Sequence, residues 1–373
     1  MKVLINQTTG YLFADVVNAM VKRDDVVLIC SDKVDETTTI DSMVKQERII
    51  VYDKSSTLKR LWTWTIGTLQ IWWKVITKYR KAELLIVSNP PFANLLALIL
   101  PNKIISHLVY DIYPEVLISG HILSESSCMT RLWRKANKRI YNRAQHVYTI
   151  GIGMADCLSQ YMEKEKIKVV NCWPDRTNIQ RVEKTENQFV KKQKLKGKFV
   201  VLYSGNMGNT HRMEILVDVA ERLKEYNDIV FILIGEGGKK KLIELKIKES
   251  GVENVRLLPY QPTGILSHSL SSADLGVITL DVTASNLSVP SKTFNLMQVG
   301  AALLVLGSGD CELGRMLVKY DMGRIFNPDN IDEIAEFVLY MKNNPEQLIE
   351  YKRNALKAIS DYSVANVEKF LKC

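Results

Sequence analysis

The sequence has few residues in the arrangements that bind metals or redox cofactors. Its six cysteines are scattered with no CxxC pair, and its five histidines show neither HxH nor HExxH spacing. A DxD carboxylate pair and a GxGxxG glycine fingerprint are also missing. We therefore expect no protein-built metal site, no nicotinamide and no other cofactor. Without a secretory signal, the cysteines are expected to be free thiols in a reducing cytoplasm.

Long uncharged apolar runs are missing as well. A spanning helix needs about 20 apolar residues, and the longest candidate, residues 84–100, is interrupted by Ser88-Asn89-Pro90-Pro91. The N-terminus, MKVLINQTTG, becomes polar after a very short apolar run. This pattern indicates a buried first strand and no signal peptide. The sequence thus predicts neither a transmembrane helix nor a cleaved leader.

Short β-branched apolar runs alternate with longer amphipathic segments along the whole chain. This alternation predicts parallel sheets covered by helices on both faces. The strand candidates of the first half are 3–6, 26–30, 48–52, 84–88, 104–110, 147–150 and 168–172, and those of the second half are 199–203, 229–234, 255–258, 275–280, 303–306 and 324–326.

At 373 residues, the chain is long enough for two domains. We predict an α/β protein with two Rossmann-like domains that face each other across a cleft, where ligands bind beyond the carboxyl ends of the strands. The predicted boundaries are an N-terminal domain at 1–178, a lysine-rich linker at 179–198, a C-terminal domain at 199–355 and a final helix at 356–373 that returns to the N-terminal domain.

Three loops in the second half have the composition of phosphate-binding loops. The first, Ser204–His211, contains Gly205 and Gly208 and follows a strand. The second, Ile234–Gly238, also follows a strand, and the third, Ser288–Asn295, places Pro290, Ser291 and Lys292 at a helix start. Backbone amides at such loops and helix starts can bind an anion, and Lys292 can add a charge. Tight turns and an ordinary capped helix with an exposed lysine are the alternatives.

Several motifs together resemble a known family, the bacterial glycosyltransferases of family four, in particular the polysaccharide-assembly branch that includes aminosugar transferases. The likeness covers nearly the whole chain. In order, the motifs are Tyr110–Glu115, Trp173-Pro174-Asp175, Tyr203–Gly208, His211, Asn254-Val255, Leu258–Pro262, Ala273-Asp274-Leu275 and Val289–Thr293.

This resemblance implies a GT-B fold, transfer of a sugar with retention of configuration, and no obligatory metal. It implies a nucleotide-sugar donor, UDP-linked and carrying an N-acetylated aminosugar, in the C-terminal domain. It further implies a polyprenyl-diphosphate-linked saccharide acceptor in the N-terminal domain, used in capsule, O-antigen or exopolysaccharide synthesis. Carried over by position, the donor-binding residues are Gly205, Asn206, Gly208, Glu236, Tyr260, Ser291, Lys292 and Asn295.

The sequence departs from the family pattern at two places. Asn295 replaces the glutamate that usually binds the ribose hydroxyls, and an amide forms a weaker bond to a diol than a carboxylate does. Gly300-Ala301-Ala302 stands where a basic residue and proline commonly follow the glycine. Both departures concern the donor and leave the fold prediction unchanged.

The candidate catalytic residues are Asp111, Glu115 and His211. Asp111 follows a predicted strand and can orient the acceptor hydroxyl or donor sugar, although capping the following turn is the alternative. His211, if protonated, can donate to the diphosphate, and a structural role is the alternative. The candidate acceptor contacts lie in the loops after the first and fourth strands and are Asn6, Gln7, Thr8, Gly10, Ser88 and Asn89.

Positive charge is concentrated in the first half of the chain and points to a membrane surface. Residues 1–180 contain 24 basic and 17 acidic residues, whereas the remainder contains 26 and 24. Segments 54–82 and 131–143 carry seven and six basic residues and no acid. Their tryptophans and basic residues predict interfacial helices on an anionic leaflet. The residues predicted to face the membrane are Trp62, Trp64, Trp72, Trp73, Arg131, Trp133, Arg134, Lys135, Lys138 and Arg139.

We therefore expect a cytoplasmic enzyme bound peripherally to the inner face of the cell membrane. Packing of these helices inside the domain is the alternative for the two segments. Nucleic acid is not an expected partner, because no nucleic-acid module matches the tandem α/β pattern. A non-catalytic GT-B subunit of a transferase complex and a nucleotide-sugar epimerase are the alternative functions.

Overall fold

The computed structural model describes residues 1–31, 38–53, 55–174, 179–208, 212–280 and 290–371. The chain divides into two compact units: unit 1 contains Met1–Trp173 and Val364–Cys373, and unit 2 contains Pro174–Ser363. Each unit has its own parallel β-sheet with helices. The predicted architecture of two Rossmann-like α/β halves is confirmed.

Unit 1 contains a seven-stranded parallel sheet in the order β3-β2-β1-β4-β5-β6-β7. Its strands are β1 (Lys2–Ile5), β2 (Val26–Ser31), β3 (Lys45–Ile49), β4 (Glu83–Val87), β5 (Ile105–Val109), β6 (Val147–Thr149) and β7 (Ile167–Val169). Its α-helices before the final segment are α1 (Tyr11–Met20), α2 (Thr57–Thr77), α3 (Leu96–Ile99), α4 (Glu115–Ser119), α5 (Cys128–Arg143) and α6 (Ile152–Leu158), and 3-10 turns cover Pro91–Leu95 and Lys164–Lys166.

The central strands of unit 1 are apolar on both faces because helices cover both sides of the sheet. Strand β3 differs, since it is an edge strand with mostly exposed polar side chains. The sequence placed this strand at 48–52, where the apolar run lies. The structure begins it earlier, and Ile50, Val51 and Tyr52 instead line a cavity beyond its end.

The end of the described chain belongs to the core of unit 1. Val367 and Phe370 are buried in the same cluster as Leu4 and Phe13. Phe370 also packs on Tyr148, with ring centroids 4.8 Å apart. The last α-helix, α15 (Glu368–Leu371), therefore completes the unit that the N-terminus begins.

Unit 2 contains a six-stranded parallel sheet in the order β10-β9-β8-β11-β12-β13. Its strands are β8 (Phe199–Ser204), β9 (Ile229–Ile234), β10 (Val255–Leu258), β11 (Leu275–Thr279), β12 (Ala302–Leu306) and β13 (Gly323–Phe326). Its α-helices are α7 (Gln188–Lys192), α8 (Ile215–Arg222), α9 (Lys240–Ser250), α10 (Thr263–Leu270), α11 (Lys292–Val299), α12 (Glu312–Tyr320), α13 (Ile331–Asn343) and α14 (Pro345–Ala358), and a 3-10 turn at Ile359–Asp361 follows them. The next 3-10 turn, Val364–Val367, already belongs to unit 1.

The interval 179–198, which the sequence suggested as a linker, is folded against unit 2. Asn187 caps α7 and donates to the carbonyl of His268 at 2.8 Å. Phe189 and Val190 are buried, and the ammonium of Lys184 pairs with the buried carboxylate of Asp274. The sequence pattern of this interval is dominated by lysines. The buried apolar residues between them fix the interval to unit 2.

Each sheet reverses its strand order once, and this fixes where ligands can bind. The reversal lies between β1 and β4 in unit 1 and between β8 and β11 in unit 2. The loops after these strands leave a gap beyond the carboxyl ends, where ligands of open α/β sheets bind. The candidate acceptor and donor loops follow β1, β4 and β8.

Candidate functional site

Two glycine loops of unit 2 pack closely beyond the ends of β8 and β9. The amide of Met207 donates to the carbonyl of Glu236 at 2.8 Å. Gly235 has a φ of 152°, and a Cβ there would lie 1.9 Å from the carbonyl oxygen of Gly205. Only glycine fits at this approach, so the sequence of the second loop holds the first loop in place.

Lys292 lies beside the first loop as a half-buried cation. Its ammonium is 4.4 Å from the ring centroid of Tyr203 and 3.3 Å from the hydroxyl of that residue, which in turn donates to the carbonyl of Asn206 at 2.8 Å. Burial lowers the pKa of Lys292 to about 7. Within the part of the chain that the structure describes, no carboxylate pairs with it. An anion bound here would restore the charge that burial disfavours.

Two of the other predicted donor residues, Asn295 and Ser291, belong to the same segment as Lys292, and a third, Tyr260, lies near Tyr203. Asn295 is half-buried one turn after Lys292, and its Oδ1 has no partner among the described residues. Tyr260 is half exposed and close enough to Tyr203 to raise the pKa of that phenol, which burial already raises. Ser291 precedes α11 with an exposed side chain that caps nothing.

The side chain of Glu236 is engaged elsewhere. Its carboxylate pairs with Lys240 of the following helix at 2.7 Å. Its backbone carbonyl accepts a hydrogen bond from the amide of Met207 in the first loop. Gly208 is the last described residue of its loop. The predicted positions His211, Asp175, Ser288 and Val289 lie outside the described residues.

The loops of unit 1 enclose two adjoining cavities of about 1070 Å³ and 220 Å³. Both are lined by Thr8, Gly10 and Asn89, so they share one wall. The larger is further lined by Ser31, Ile50, Val51, Tyr52, Asp53, Ser55 and Thr63, and the smaller by Asn6, Tyr11, Leu12, Phe13, Val87, Ser88, Tyr110 and Asp111. The structure thus brings five of the six predicted acceptor contacts to these walls.

Asp111 is held at the smaller cavity by Ser88. The hydroxyl oxygen of Ser88 accepts from the amides of Tyr110 and Asp111, both at 3.1 Å. Burial raises the pKa of Asp111. Ser88 is therefore occupied in placing this carboxyl group, and Asn6, whose buried Oδ1 has no partner in the described chain, is the freer of the two polar contacts.

Gln7 and Asn89 hold α2 against the cavity. The amide nitrogen of Gln7 donates to the carbonyls of Thr63 and Ile50 at 2.9 and 3.2 Å. Asn89 Oδ1 accepts from the indole of Trp64 at 3.2 Å. Gln7 does not line either cavity, so the structure assigns it to the wall behind them.

The structure places Glu115 away from both cavities. Its Oε1 accepts from Arg134 Nε at 3.0 Å and from the hydroxyl of Tyr161 at 2.6 Å. Arg134 also pairs with Glu125 at 3.3 Å. Glu115 and Arg134 are thus partners that tie α4, α5 and the segment after α6 together.

Helix α2 presents an apolar stripe to solvent along its whole length. Trp62 and Trp73 are 63% and 70% exposed. They are flanked at helical spacing by further exposed apolar side chains, namely Leu58, Leu69 and Ile76. The opposite face is fixed to the sheet, where Glu47 of β3 pairs with Lys74 at 2.6 Å.

Trp64 and Trp72 do not belong to this stripe. Trp64 is only 3% exposed and stacks on Tyr52, because it falls on the face of α2 that meets the sheet. Trp72 is half-buried. Their prediction as membrane-facing residues is corrected by their position on the helix.

Helix α5 exposes basic side chains on one face. Arg131, Lys135, Lys138 and Arg139 are exposed as predicted. Trp133 instead packs inward between Phe92 and Tyr113, at centroid distances of 4.9 and 6.1 Å. Both α2 and α5 pack on the turn Pro91–Leu95, so the apolar stripe and the basic face belong to neighbouring elements.

Sequence reasoning missed Tyr52 and Arg60. Tyr52 lines the larger cavity, and Arg60 was counted only as one charge of a basic segment. The signal that was available is the spacing of Arg60 and Trp64, which places both on the same face of a helix.

Across the described residues, no three His, Cys, Asp or Glu side chains form a group that could hold a metal ion. None of the described helices has the length and apolar character to cross a membrane.

One family model matches most of unit 2. Residues 184–358 match the family model described as glycosyl transferases group 1. Over 240 residues, the chain is 24% identical to the probable glycosyltransferase WbjE of Pseudomonas aeruginosa. This alignment covers 62% of this chain and 60% of WbjE. Over 119 residues, the chain is 29% identical to the putative colanic acid biosynthesis glycosyl transferase WcaI of Escherichia coli K12. This alignment covers 32% of this chain and 29% of WcaI. The chain therefore aligns with less than two thirds of either relative.

Solved structures share the fold over the whole chain. Anabaena Alr3699/HepE in complex with UDP superposes with a TM-score of 0.74 at 14% identity, covering 100% of this chain and 98% of HepE. WaaG, a glycosyltransferase involved in lipopolysaccharide biosynthesis, superposes with a TM-score of 0.70 at 10% identity, covering 99% and 98%. The resemblance to family-four glycosyltransferases and the predicted GT-B class are confirmed.

Proposed function

We propose, from the premise that residues 184–358 belong to the glycosyl transferases group 1 family, that this chain is a sugar-transferring enzyme of surface polysaccharide synthesis. Its donor is a UDP-linked sugar, in our proposal an N-acetylated aminosugar. Its acceptor is a saccharide on a polyprenyl diphosphate. The names of the matched relatives, which include a colanic acid enzyme, support this class of pathway.

The observation that carries the proposal is the half-buried ammonium of Lys292, unpaired among the described residues. It lies over Tyr203, next to the Gly205 loop, and in the described chain no carboxylate neutralises it. A half-buried cation beside a glycine loop is suited to the diphosphate of a nucleotide. The complex of HepE with UDP supports the choice of nucleotide.

The proposed chemistry uses these groups to stabilise the leaving diphosphate. As the bond from the anomeric carbon to the phosphate oxygen breaks, negative charge grows on the diphosphate, and Lys292 and the loop amides stabilise it. In the retaining reaction, the departing phosphate accepts the proton of the attacking hydroxyl. Asp111 then has a positioning role, which agrees with its buried place at the smaller cavity. No metal is needed in this proposal.

The proposed acceptor places unit 1 at an anionic membrane surface. The exposed stripe of α2 suits the apolar boundary of a bilayer, and the basic face of α5 suits anionic headgroups. We place the enzyme peripherally on the inner face of the cell membrane.

Thermal unfolding in the presence of UDP, GDP, CMP and NAD, each at about 1 mM, tests the donor site. A ligand at 100 times its Kd stabilises the folded state by about 2.7 kcal/mol, which gives a clear rise in Tm. We expect a rise with UDP, and Lys292→Met should remove most of it while retaining the apolar stem of the side chain.

Lys342→Met is the matched control. Lys342 also lies over a tyrosine ring, that of Tyr226 at 5.4 Å, but it is paired with Asp228 at 2.9 Å. This variant should respond to UDP as the wild type does. No shift with any nucleotide would reject the enzyme proposal and favour a non-catalytic subunit.

A further inference from the structure

Tyr203 is the last residue but one of β8, and its side chain is fully buried in the core of unit 2. Its hydroxyl group lies at the edge of this core, where β8 leads into the Gly205 loop. A Cβ at Gly205 would be 3.4 Å from the hydroxyl oxygen. A buried hydroxyl group needs hydrogen-bond partners, and those of Tyr203 come from three separate elements.

The first partner is a peptide unit of the Gly205 loop. The hydroxyl of Tyr203 donates to the carbonyl of Asn206 at 2.8 Å. The amide of Met207, which belongs to the same peptide unit, donates to the carbonyl of Glu236 at 2.8 Å. This peptide unit is therefore held at both ends, by the end of β8 on one side and by the loop after β9 on the other.

The other two partners are Lys292 and Thr279. The ammonium of Lys292 donates to the hydroxyl oxygen of Tyr203 at 3.3 Å. The side chain of Thr279, at the end of β11, also hydrogen-bonds Tyr203. Because the strand order of the sheet reverses between β8 and β11, this phenol joins the loop, α11 and β11 at the place where a ligand of such a sheet binds.

Two groups held by Tyr203 keep N–H bonds that can bind a ligand. An ammonium has three N–H bonds, and that of Lys292 meets no carboxylate in the described chain. The amide of Asn206 has no acceptor among the described residues. Gly205 borders both groups, since a Cβ there would lie 3.7 Å from the Cδ of Lys292. A cation beside a loop amide is suited to a phosphate group.

A tyrosine can orient Lys292 without neutralising it. The stem of a lysine is flexible, so an ammonium without a fixed partner samples many positions. The hydroxyl oxygen is a neutral acceptor, and the ring, whose centroid is 4.4 Å from the ammonium, adds cation–π attraction. A carboxylate in this place would hold the ammonium as well, but it would also repel a diphosphate. Tyr203 therefore leaves the charge of Lys292 to the ligand.

We propose that Tyr203 is a positioning residue of the donor site, whose hydroxyl group fixes the Lys292 ammonium and the Asn206 peptide unit relative to each other so that both face one diphosphate. This inference rests on the proposed function, because it requires a diphosphate at Lys292. Tyr203 is fully buried, so it acts through these two groups and does not itself touch the ligand.

Calorimetric titration with UDP at pH 7 tests the proposal in Tyr203→Phe, which keeps the ring and removes only the hydroxyl group. We expect the Kd to rise by roughly tenfold, because the Asn206 carbonyl loses its donor and the ammonium loses its acceptor. Tyr351→Phe is the matched control. Tyr351 is buried in the same core cluster and its side chain makes no hydrogen bond among the described residues, so this variant should bind UDP as the wild type does.

The double variant of Tyr203→Phe with Lys292→Met shows whether the hydroxyl group acts through the lysine. The two changes together should raise the Kd by less than the product of their separate effects, because Lys292→Met already removes one of the two groups that the hydroxyl positions. A tyrosine with a structural role alone would give the full product.

The pH dependence of UDP affinity is a second measurement that a structural role alone would not change. Burial lowers the pKa of Lys292 to about 7, and loss of the hydroxyl acceptor should lower it further. Tyr203→Phe should therefore lose affinity between pH 6 and pH 7, where the wild type changes little. Each Kd is compared with that of Lys292→Met at the same pH, which removes the titration of UDP itself.

Thermal unfolding shows whether Tyr203→Phe is folded. If it is not, Thr279→Val decides, because this variant leaves the phenol in place and removes one of its partners. We then expect the Kd for UDP to rise by about threefold, and an unchanged Kd would overturn the proposal. In a folded Tyr203→Phe variant, an unchanged Kd or fully multiplicative effects would overturn it.

Failure of this inference is distinguishable from failure of the proposed function. If UDP binds the wild type and Tyr203→Phe equally well, the role of Tyr203 is rejected and the donor site stands. If UDP does not bind the wild type, the proposed donor site itself is rejected.

Discussion

The properties of Lys292 follow from where its neighbours are placed. The ring of Tyr203 removes water from one side of the ammonium, and burial lowers its pKa to about 7. A lysine with an ordinary pKa is charged whatever the ligand, whereas this one is half-charged near neutral pH. In the proposed donor site, occupancy by a diphosphate and protonation of Lys292 are therefore coupled.

This coupling predicts a pH dependence of UDP affinity. A bound diphosphate raises the pKa of Lys292, so above pH 7 each binding event takes up a proton and a rise in pH weakens binding. We expect the Kd to increase from pH 7 to pH 9, by at most about tenfold per pH unit. Calorimetric titration at pH 7, 8 and 9 measures it.

Lys292→Met provides the comparison, because it has no proton to gain. Its Kd should be higher at pH 7 and nearly constant up to pH 9. A wild-type Kd that is equally constant over this range would show that Lys292 does not contact the diphosphate.

The residue scale also shows what the sequence could predict of the sites. The importance of Lys292 and of the Gly205 loop followed from motifs, and the structure brings them together. Asp111 likewise followed from its position after a strand. Glu115 did not, because its engagement by Arg134 and Tyr161 depends on contacts between distant segments. Such partners leave no local pattern.

At the scale of elements, the packing of α2 against the loop after β1 depends on Gly67, in the middle of the helix. A Cβ at Gly67 would lie 2.7 Å from Nε2 of Gln7, the atom that donates to Thr63 and Ile50. Glycine is otherwise a poor helix residue. Its presence lets the helix approach the loop after β1.

We expect Gly67→Ala to destabilise the protein by about 1–2 kcal/mol. The added methyl group displaces Gln7 and breaks one buried and one partly buried hydrogen bond, which outweighs a gain of about 1 kcal/mol in helix propensity. Urea unfolding measures the difference. Gly264→Ala in α10 is the control, since nothing lies within 4 Å of a Cβ there, and it should be neutral or stabilising by up to about 1 kcal/mol. A Gly67→Ala variant as stable as the wild type would show that Gln7 moves without cost.

The elements themselves were largely predictable. Strand positions in both sheets followed from buried apolar runs, because strands covered on both faces tolerate little else. Only part of the predicted membrane-facing set is exposed, since the sequence showed that α2 is rich in tryptophan but not which face meets the sheet. Trp64 is fixed by Tyr52 and Asn89, which come from two separate loops.

At the scale of the molecule, positive charge and exposed apolar surface occur together in unit 1. We expect the protein to co-sediment with phosphatidylglycerol vesicles, to bind phosphatidylcholine vesicles less, and to dissociate at high salt, because exposed charges are screened. Trp62→Ala with Trp73→Ala should weaken binding by at least about tenfold, through loss of interfacial aromatic surface.

The matched control removes exposed apolar residues from unit 2. Leu245 and Ile349 are 57% and 65% exposed, and their replacement by alanine should leave vesicle binding unchanged. Equal loss in both double variants would indicate non-specific adhesion, and no loss in the tryptophan variant would reject the role of α2.

The contribution of Val367 and Phe370 to the core of unit 1 affects how the protein is made. A ribosome releases residues 1–173 long before it reaches residues 364–371, so the emerging N-terminal unit lacks two of its buried side chains throughout synthesis of unit 2. Unit 2 is contiguous and has no such delay. The order of completion is therefore the reverse of the order of translation: unit 2 can finish folding first, and unit 1, with its exposed apolar helix, matures last.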